Sequence, residues 1–250
     1  MPGFASLLVA SAAAVRVASL NMCADEYLLL LGRPQEIASV SRLSRDPADS
    51  ILWRLGQRYP GNRGDLESAL KARPNLVITM GGGGRGTAMI ARRMGLRTID
   101  LPFPMTIGDV ARNMSAVAGA LGDPLRALPW QDRLSRLQHV QPAQRDAIFL
   151  GAGGNSVGAQ SVEAEWMRLA GLRQRALPGG RAGLELLATR PPAVLLRSTY
   201  RRSERSLGQT WLEHPLASPG RSRIIAVDGR PWTCAGPLML DEVERLRRAL

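Results

Sequence analysis

Three short stretches carry residue types that could do chemistry. Gly81-x-Gly83-x-x-Gly86 follows an apolar run and opens a helical one, and Asp100 ends the next strand-like run. In that layout glycines let the backbone approach a pyrophosphate and the acid holds a ribose hydroxyl. Gly154-Asn155-Ser156-Val157-Gly158 has the spacing of a nucleophile elbow. A triad would need a later histidine, and only His214 follows Ser156, directly ahead of Pro215. The third pair is Cys23 and Cys234, the sole cysteines. With two histidines not spaced to help, they do not make a closed zinc site. A disulfide closing a very long loop, thiols in buried niches, and sulfurs facing a ligand all remain open. Both glycine-rich stretches are also plain loops at strand ends, where open α/β sheets take their ligands.

The elements that would position these residues follow from periodicity. Short apolar runs at 15–20, 37–40, 75–80, 98–101, 146–150 and 224–227 read as buried strands, and amphipathic segments alternate with them. One unit occurs twice. Residues 66–78 (LESALKARPNLVI) align without gaps on 184–196 (LELLATRPPAVLL), matching Glu67 to Glu185 and Pro74 to Pro192. Each copy reads as a short helix with an early glutamate, a proline stop, and a strand. The repeat predicts two similar lobes, at 15–104 and 141–250. Between them, Ile107, Val110, Ala111, Met114, Val117, Ala118 and Leu121 mark one helical face, with Thr106 and Asp109 placed as a capping box. The segment 105–140 is therefore the expected bridge, although Gly122, Pro124 and Pro129 fall within it.

Composition limits the function classes. A chain of 250 residues with 45% hydrophobic and 22% charged residues has an ordinary globular balance. The formal charge of +12 invites a nucleic-acid partner. Against that, Lys71 is the only lysine, the arginines are scattered, and aromatics make up 4% with no basic–aromatic alternation. No nucleic-acid partner is expected. Residues 4–15 are apolar, too short to span a bilayer, and Ala12-Ala13-Ala14 offers a cleavage site, so 1–14 is read as a signal peptide.

Taken together, four stretches resemble the vitamin B12- and ferric-siderophore-binding periplasmic proteins of ABC importers, the class III solute-binding family. They are RVASLNMCADE at 16–26, DLESALKARPNLVI at 65–78, GLELLATRPP at 183–192 and VDGRPWTCAGP at 227–237. The resemblance implies two α/β lobes, each with a mainly parallel sheet flanked by helices, joined by a single long helix. It implies a non-enzymatic, cofactor-free, monomeric receptor in the periplasm that binds a metal chelate between its lobes. The chelate would be a ferric siderophore, a corrinoid or heme. It further implies that Glu67 and Glu185 dock onto the membrane permease. The ligand-facing loops would then present Asn21, Met22 and Cys23, Arg45, Gly82, Gly83 and Arg85, and Phe103 from the first lobe. The second lobe would present Asn155 and Ser156, Tyr200 and Arg201, and Trp232 and Cys234. Trp232 or Tyr200 would stack on a flat macrocycle, and the arginines would hold an anionic chelate. The contrasting expectation is a nucleotide-cofactor enzyme built on Gly81–Gly86 and Asp100.

Overall fold

The computed structural model describes residues 14–82, 85–201, 203, 204 and 206–250, apart from the side chain of Arg85. The leader up to residue 13, Gly83 and the Arg85 side chain therefore lie outside the described residues. The first sheet contains β1 (Val17–Ser19), β2 (Ile37–Ser41), β3 (Gly61–Asn62), β4 (Leu76–Met80) and β5 (Arg97–Leu101), in the order β3-β2-β1-β4-β5. The second contains β6 (Arg145–Leu150), β7 (Leu172–Gln174), β8 (Val194–Ser198) and β9 (Arg223–Val227), in the order β7-β6-β8-β9. Every pairing is parallel. β3 and β7 carry too little apolar pattern to be read from the sequence; the others fall within the expected runs.

The two lobes share one topology. β2-β1-β4-β5 corresponds to β7-β6-β8-β9, and the gapless repeat keeps this register. Leu76 lies between Val17 and Arg97, and its counterpart Val194 lies between Ala147 and Arg223. All five residues of β4 are buried, as helices covering both faces of a parallel sheet require.

The bridge differs from a single long helix. It consists of two helices, Ile107–Ala120 and Leu128–His139, separated by a 3-10 turn at Pro124–Ala127. The Thr106–Asp109 capping box opens the first as expected. Gly122 then takes a φ of 82°, which ends the helix cheaply because glycine has no Cβ. Pro129 sits in the first turn of the second helix, where its missing N–H costs nothing. It starts a helix rather than breaking one. Gln131 Nε2 donates to Ser115 Oγ at 2.8 Å, so the two helices lie side by side.

This hairpin is stitched to both lobes. Arg126 donates to both carboxylate oxygens of Glu36 and to Leu31 O in the first lobe, and the ion pair pulls the Glu36 carboxyl below its ordinary range. Trp130 Nε1 donates to Pro237 O at 2.9 Å, and its ring meets Trp166 edge-on at 6.4 Å. Arg133 pairs with Asp241 and Glu244 on the last helix, Met239–Ala249.

A second seam joins the lobes directly. Cys23, in the first turn of helix Met22–Leu31, is disulfide-bonded to Cys234, the last residue of helix Arg230–Cys234, with their Cα atoms 5.3 Å apart. Beside it Glu26 is 6% exposed, accepts a hydrogen bond from Leu238 N at 2.7 Å, and packs against Gly236. Burial pushes the Glu26 carboxyl up to about 8. Its neighbour Asp25 is also raised by burial, to about 6, a shift limited by hydrogen bonds from Ser41 and Ser44.

Two tests follow from this seam. Replacing both cysteines by serine releases a closure spanning 211 residues and should lower unfolding free energy by about 2–5 kcal/mol, read from the shift of a denaturant midpoint. Glu26 gives a pH signature. Between its ordinary value of 4.5 and about 8 the folded protein holds a proton that the unfolded chain releases, so stability falls as pH rises through that window. Asp25 acts with the same sign, but only up to about 6. From pH 6 to pH 8 the wild type should therefore lose on the order of 2 kcal/mol relative to Glu26→Gln. Parallel stability–pH curves for the two proteins would refute the assignment.

Candidate ligand-binding cleft

Because every strand is parallel, the loops after β1, β4 and β5 leave one edge of the first lobe, and those after β6, β8 and β9 leave one edge of the second. The loops after β1 and β9 lead to the two cysteines and meet at the disulfide seam. Tyr200 and Arg201 follow β8 directly, and Trp232 lies five residues after β9 on the helix that ends in Cys234.

The second lobe supplies an aromatic wall. The rings of Trp232 and Phe149 pack at 4.7 Å with a 38° tilt, and both are largely buried. Trp232 Nε1 is buried and has no hydrogen-bond partner among the described residues. With Tyr200, Val157, Ser198 and Thr233 these rings line a cavity of about 380 Å³. A second cavity of about 510 Å³ opens between the lobes. Pro47 and Ala48 line its first-lobe side, and Thr199, Tyr200, Arg201 and Arg230 line the other. Tyr200, Arg201 and Glu204 border both cavities. A third concavity, of about 490 Å³, lies in the first lobe around Arg42, Arg45 and Gln57. There Arg45 Nε is buried without a protein partner, and the guanidinium packs over Gly61, where a Cβ would come within 2.5 Å of Nη1.

The structure thus gathers Tyr200, Arg201 and Trp232 around one cavity, whereas Arg45 lies in a separate concavity lined by first-lobe residues. Other expected site residues have different tasks. Cys23 and Cys234 are committed to each other, which leaves neither sulfur free to hold a metal. Asn21 caps its helix, accepting from Ala24 N at 2.9 Å, and donates to Met80 O at 2.9 Å, so its amide ties β1 to β4. Met22 borders a narrow space of about 10 Å³ shared with Glu26, Arg230 and Cys234. Gly82 is exposed with a φ of 74°, and Phe103 is 43% exposed after β5; neither lines the cavities described here.

The elbow serine is not a nucleophile poised by a base. Ser156 Oγ donates to Phe149 O at 2.6 Å and accepts from Gln174 Nε2 at 3.0 Å, which shapes the loop after β6. Asn155 is exposed and forms an isolated bridge with Arg181. His214 instead accepts from Leu216 N in its own turn. The dinucleotide layout is also altered, since Asp100 accepts a hydrogen bond from Thr79 Oγ1 at 2.7 Å across the β4–β5 pairing.

Three residues that matter to the cleft were not singled out from the sequence. Asp49 accepts from Tyr200 and Arg201, while Arg230 is paired with Asp228 and donates to Pro47 O. Asp228 and Arg230 flank Gly229 within the stretch that carries the family resemblance. Asp49 had no such signal, because it lies in a loop with no periodicity.

Glu67 and Glu185 occupy equivalent, exposed positions in the first turns of helices Leu66–Leu70 and Leu184–Thr189. Three residues ahead of each, the chain rests against the loop leaving the first strand of its lobe. A Cβ at Gly64 would meet Leu20 O at 2.9 Å, and Ala182 N donates to Gly154 O at 2.8 Å. Both carboxylates thus stand at the strand-end side of their lobes. A carboxylate in a first helical turn is also favoured by the helix dipole.

Neither protein-family models nor curated proteins give a match to this sequence. Solved structures do. The periplasmic heme-binding protein HutB of Vibrio cholerae aligns with a TM-score of 0.73 at 20% identity, over 94% of this chain and 98% of that one. A periplasmic heme-binding protein of Pseudomonas aeruginosa aligns with a TM-score of 0.68 at 22% identity, over 94% and 91%. The periplasmic vitamin B12-binding protein BtuF of Vibrio cholerae aligns with a TM-score of 0.64 at 19% identity, over 93% and 95%. The chain has the two-lobed, parallel α/β fold of these periplasmic binding proteins.

Proposed function

We propose that this chain is the periplasmic solute-binding component of an ABC importer, a non-enzymatic receptor that takes a metal chelate between its lobes and passes it to a permease. The observation that carries this reading is the interlobe space itself. Pro47 and Ala48 border it on the first lobe and Tyr200, Arg201 and Arg230 on the second, with Phe149 and Trp232 lining the adjoining second-lobe cavity. Aromatic rings offer a flat apolar contact, and arginines offer charge and directional donors. A flat tetrapyrrole chelate with acidic substituents, heme-like before corrinoid, fits that chemistry best. A ferric siderophore is the less suited member of the same class, since it has no extended plane to stack.

The permease contact is proposed for Glu67 and Glu185. Two exposed carboxylates on equivalent helices, one per lobe, suit a partner with two basic sites related by a similar symmetry. Exposed ion pairs contribute modest affinity but set register and association rate.

Calorimetric titration of the mature chain with hemin and with cyanocobalamin tests the ligand. One-to-one submicromolar binding of hemin is expected, with weaker binding of cyanocobalamin; absence of heat with both, at several temperatures, would remove the tetrapyrrole class. The docking role is tested separately. The double variant Glu67→Ala/Glu185→Ala should lose uptake in cells while keeping hemin affinity within about twofold. An equal fall in affinity and uptake would place the glutamates in ligand binding instead.

A further inference from the structure

The first-lobe loop at 46–52 is held by the opposite lobe at several points. Asp49 Oδ1 accepts hydrogen bonds from Tyr200 Oη at 3.1 Å and from Arg201 Nη2 at 2.7 Å. Arg230 Nη1 donates to Pro47 O at 2.7 Å. The Asp49 side chain is 9% exposed, whereas that of Arg201 is 41% exposed. The acid is therefore sunk into the seam, and the cation reaches it from a cavity wall. Arg201 does so with a φ of 51°, a conformation that a residue with a Cβ adopts when its surroundings impose it. Its guanidinium lies 5.4 Å from the Tyr200 ring centre, and Nη1 is engaged by Glu204.

Two facts make this more than an ordinary surface ion pair. Tyr200 and Arg201 border both cavities, and the group they hold lies behind them, against the narrow space shared with Glu26, Arg230 and Cys234. Their two donors converge on a single carboxylate oxygen, and the phenol and guanidinium are fixed side by side by backbone and stacking. That is a preformed carboxylate receptor, and a residue of the chain itself occupies it.

We infer that Tyr200 and Arg201 are the anchor for a carboxylate of the ligand, and that Asp49 is an intramolecular competitor which the ligand must displace, so that the 46–52 loop acts as a latch. This rests on the chelate-binding reading above and narrows it to chelates that carry free carboxylates. An entering carboxylate takes over the same two charge-assisted hydrogen bonds and repels the Asp49 charge it replaces. Release of the loop then widens the interlobe cavity that Pro47 and Ala48 border. A neutral chelate offers weaker acceptors, binds without displacing Asp49 and so neither loses to nor gains from the latch, which therefore acts only on charged ligands. Arg230 keeps its bidentate pairing with Asp228 throughout and does not depend on Asp49.

The test compares the full chain with Asp49→Asn and Asp49→Ala, using hemin and hemin dimethyl ester as probes. Hydrogen exchange over 46–52 and calorimetric affinity are both measured, with circular dichroism to confirm folding. Hemin should raise exchange at 46–52 in the wild type, and each variant should show the raised exchange without hemin. Both variants should bind hemin about tenfold more tightly, with affinity for the ester unchanged. Weaker hemin binding by the variants would make Asp49 a ligand contact and overturn the inference. An equal gain for the ester would make the effect steric and overturn it as well. Hemin that binds without freeing the loop overturns the latch and leaves the chelate reading standing. Failure of hemin to bind any of the three proteins overturns both.

Discussion

The structure depends on a covalent closure between lobes at the point where their first and last elements meet. Cys23 lies at the start of the first helix and Cys234 at the end of a short helix 211 residues later, and the bond between them pins the cleft. Much of the neighbouring architecture is arranged around that pin. Glu26 is one helical turn from Cys23, too buried to ionise cheaply, and it reaches across to Leu238 N. Gly236 has no side chain because the Glu26 carboxylate sits where one would go, within 3.2 Å of an added Cβ. Trp166, on the second-lobe helix Val162–Leu169, donates to Ala235 O, and Trp130 donates to Pro237 O, which ties the same segment to the helical bridge. Residues 234–238 thus form a knot in which backbone polar groups from one lobe are satisfied by side chains from elsewhere, as buried polar groups require.

That constraint gives the cleft its character. Two lobes joined by a flexible linker could open widely. Here a disulfide, a buried carboxylate and a two-helix bridge act together on the same base. The contacts farther out are of a different kind. Asp49 with Tyr200 and Arg201, and Arg230 with Pro47 O, are polar and noncovalent. The base is therefore built from interactions that cost much to break, and the mouth from interactions that cost less. Such a division would suit the proposed binding and release of a solute.

The internal duplication extends this logic to the outer surface. Equivalent strand orders and a gapless register place Glu67 and Glu185 on matching helices, each reached through a residue packed on the loop after the lobe's first strand. A fixed base keeps the spacing of the two carboxylates nearly constant, which a two-point contact with a rigid partner would need. The duplication is not perfect. Among the described residues β3 has no counterpart in the second sheet, and its Gly61 packs under Arg45.

What the sequence determined by itself was mostly local or repetitive. Apolar runs of strand length, the Thr106–Asp109 capping box and the repeated helix–proline–strand unit each follow from neighbours along the chain, where period and spacing are physical signals. Two lobes and a parallel α/β class were legible for that reason, while Tyr200, Arg201 and Trp232 were expected in ligand-facing loops only through the family resemblance. Tertiary structure decided what depends on partners far apart in the chain. It chose a disulfide among the three states open to Cys23 and Cys234, and it turned Pro129 from an interruption into the start of a second helix. It also occupied Ser156 with Phe149 O and Gln174, which leaves the elbow spacing without its chemistry. Asp49 shows the limit most plainly. It is one acid in an irregular loop, and its meaning comes wholly from a tyrosine and an arginine more than 150 residues away that the fold brings within hydrogen-bond reach.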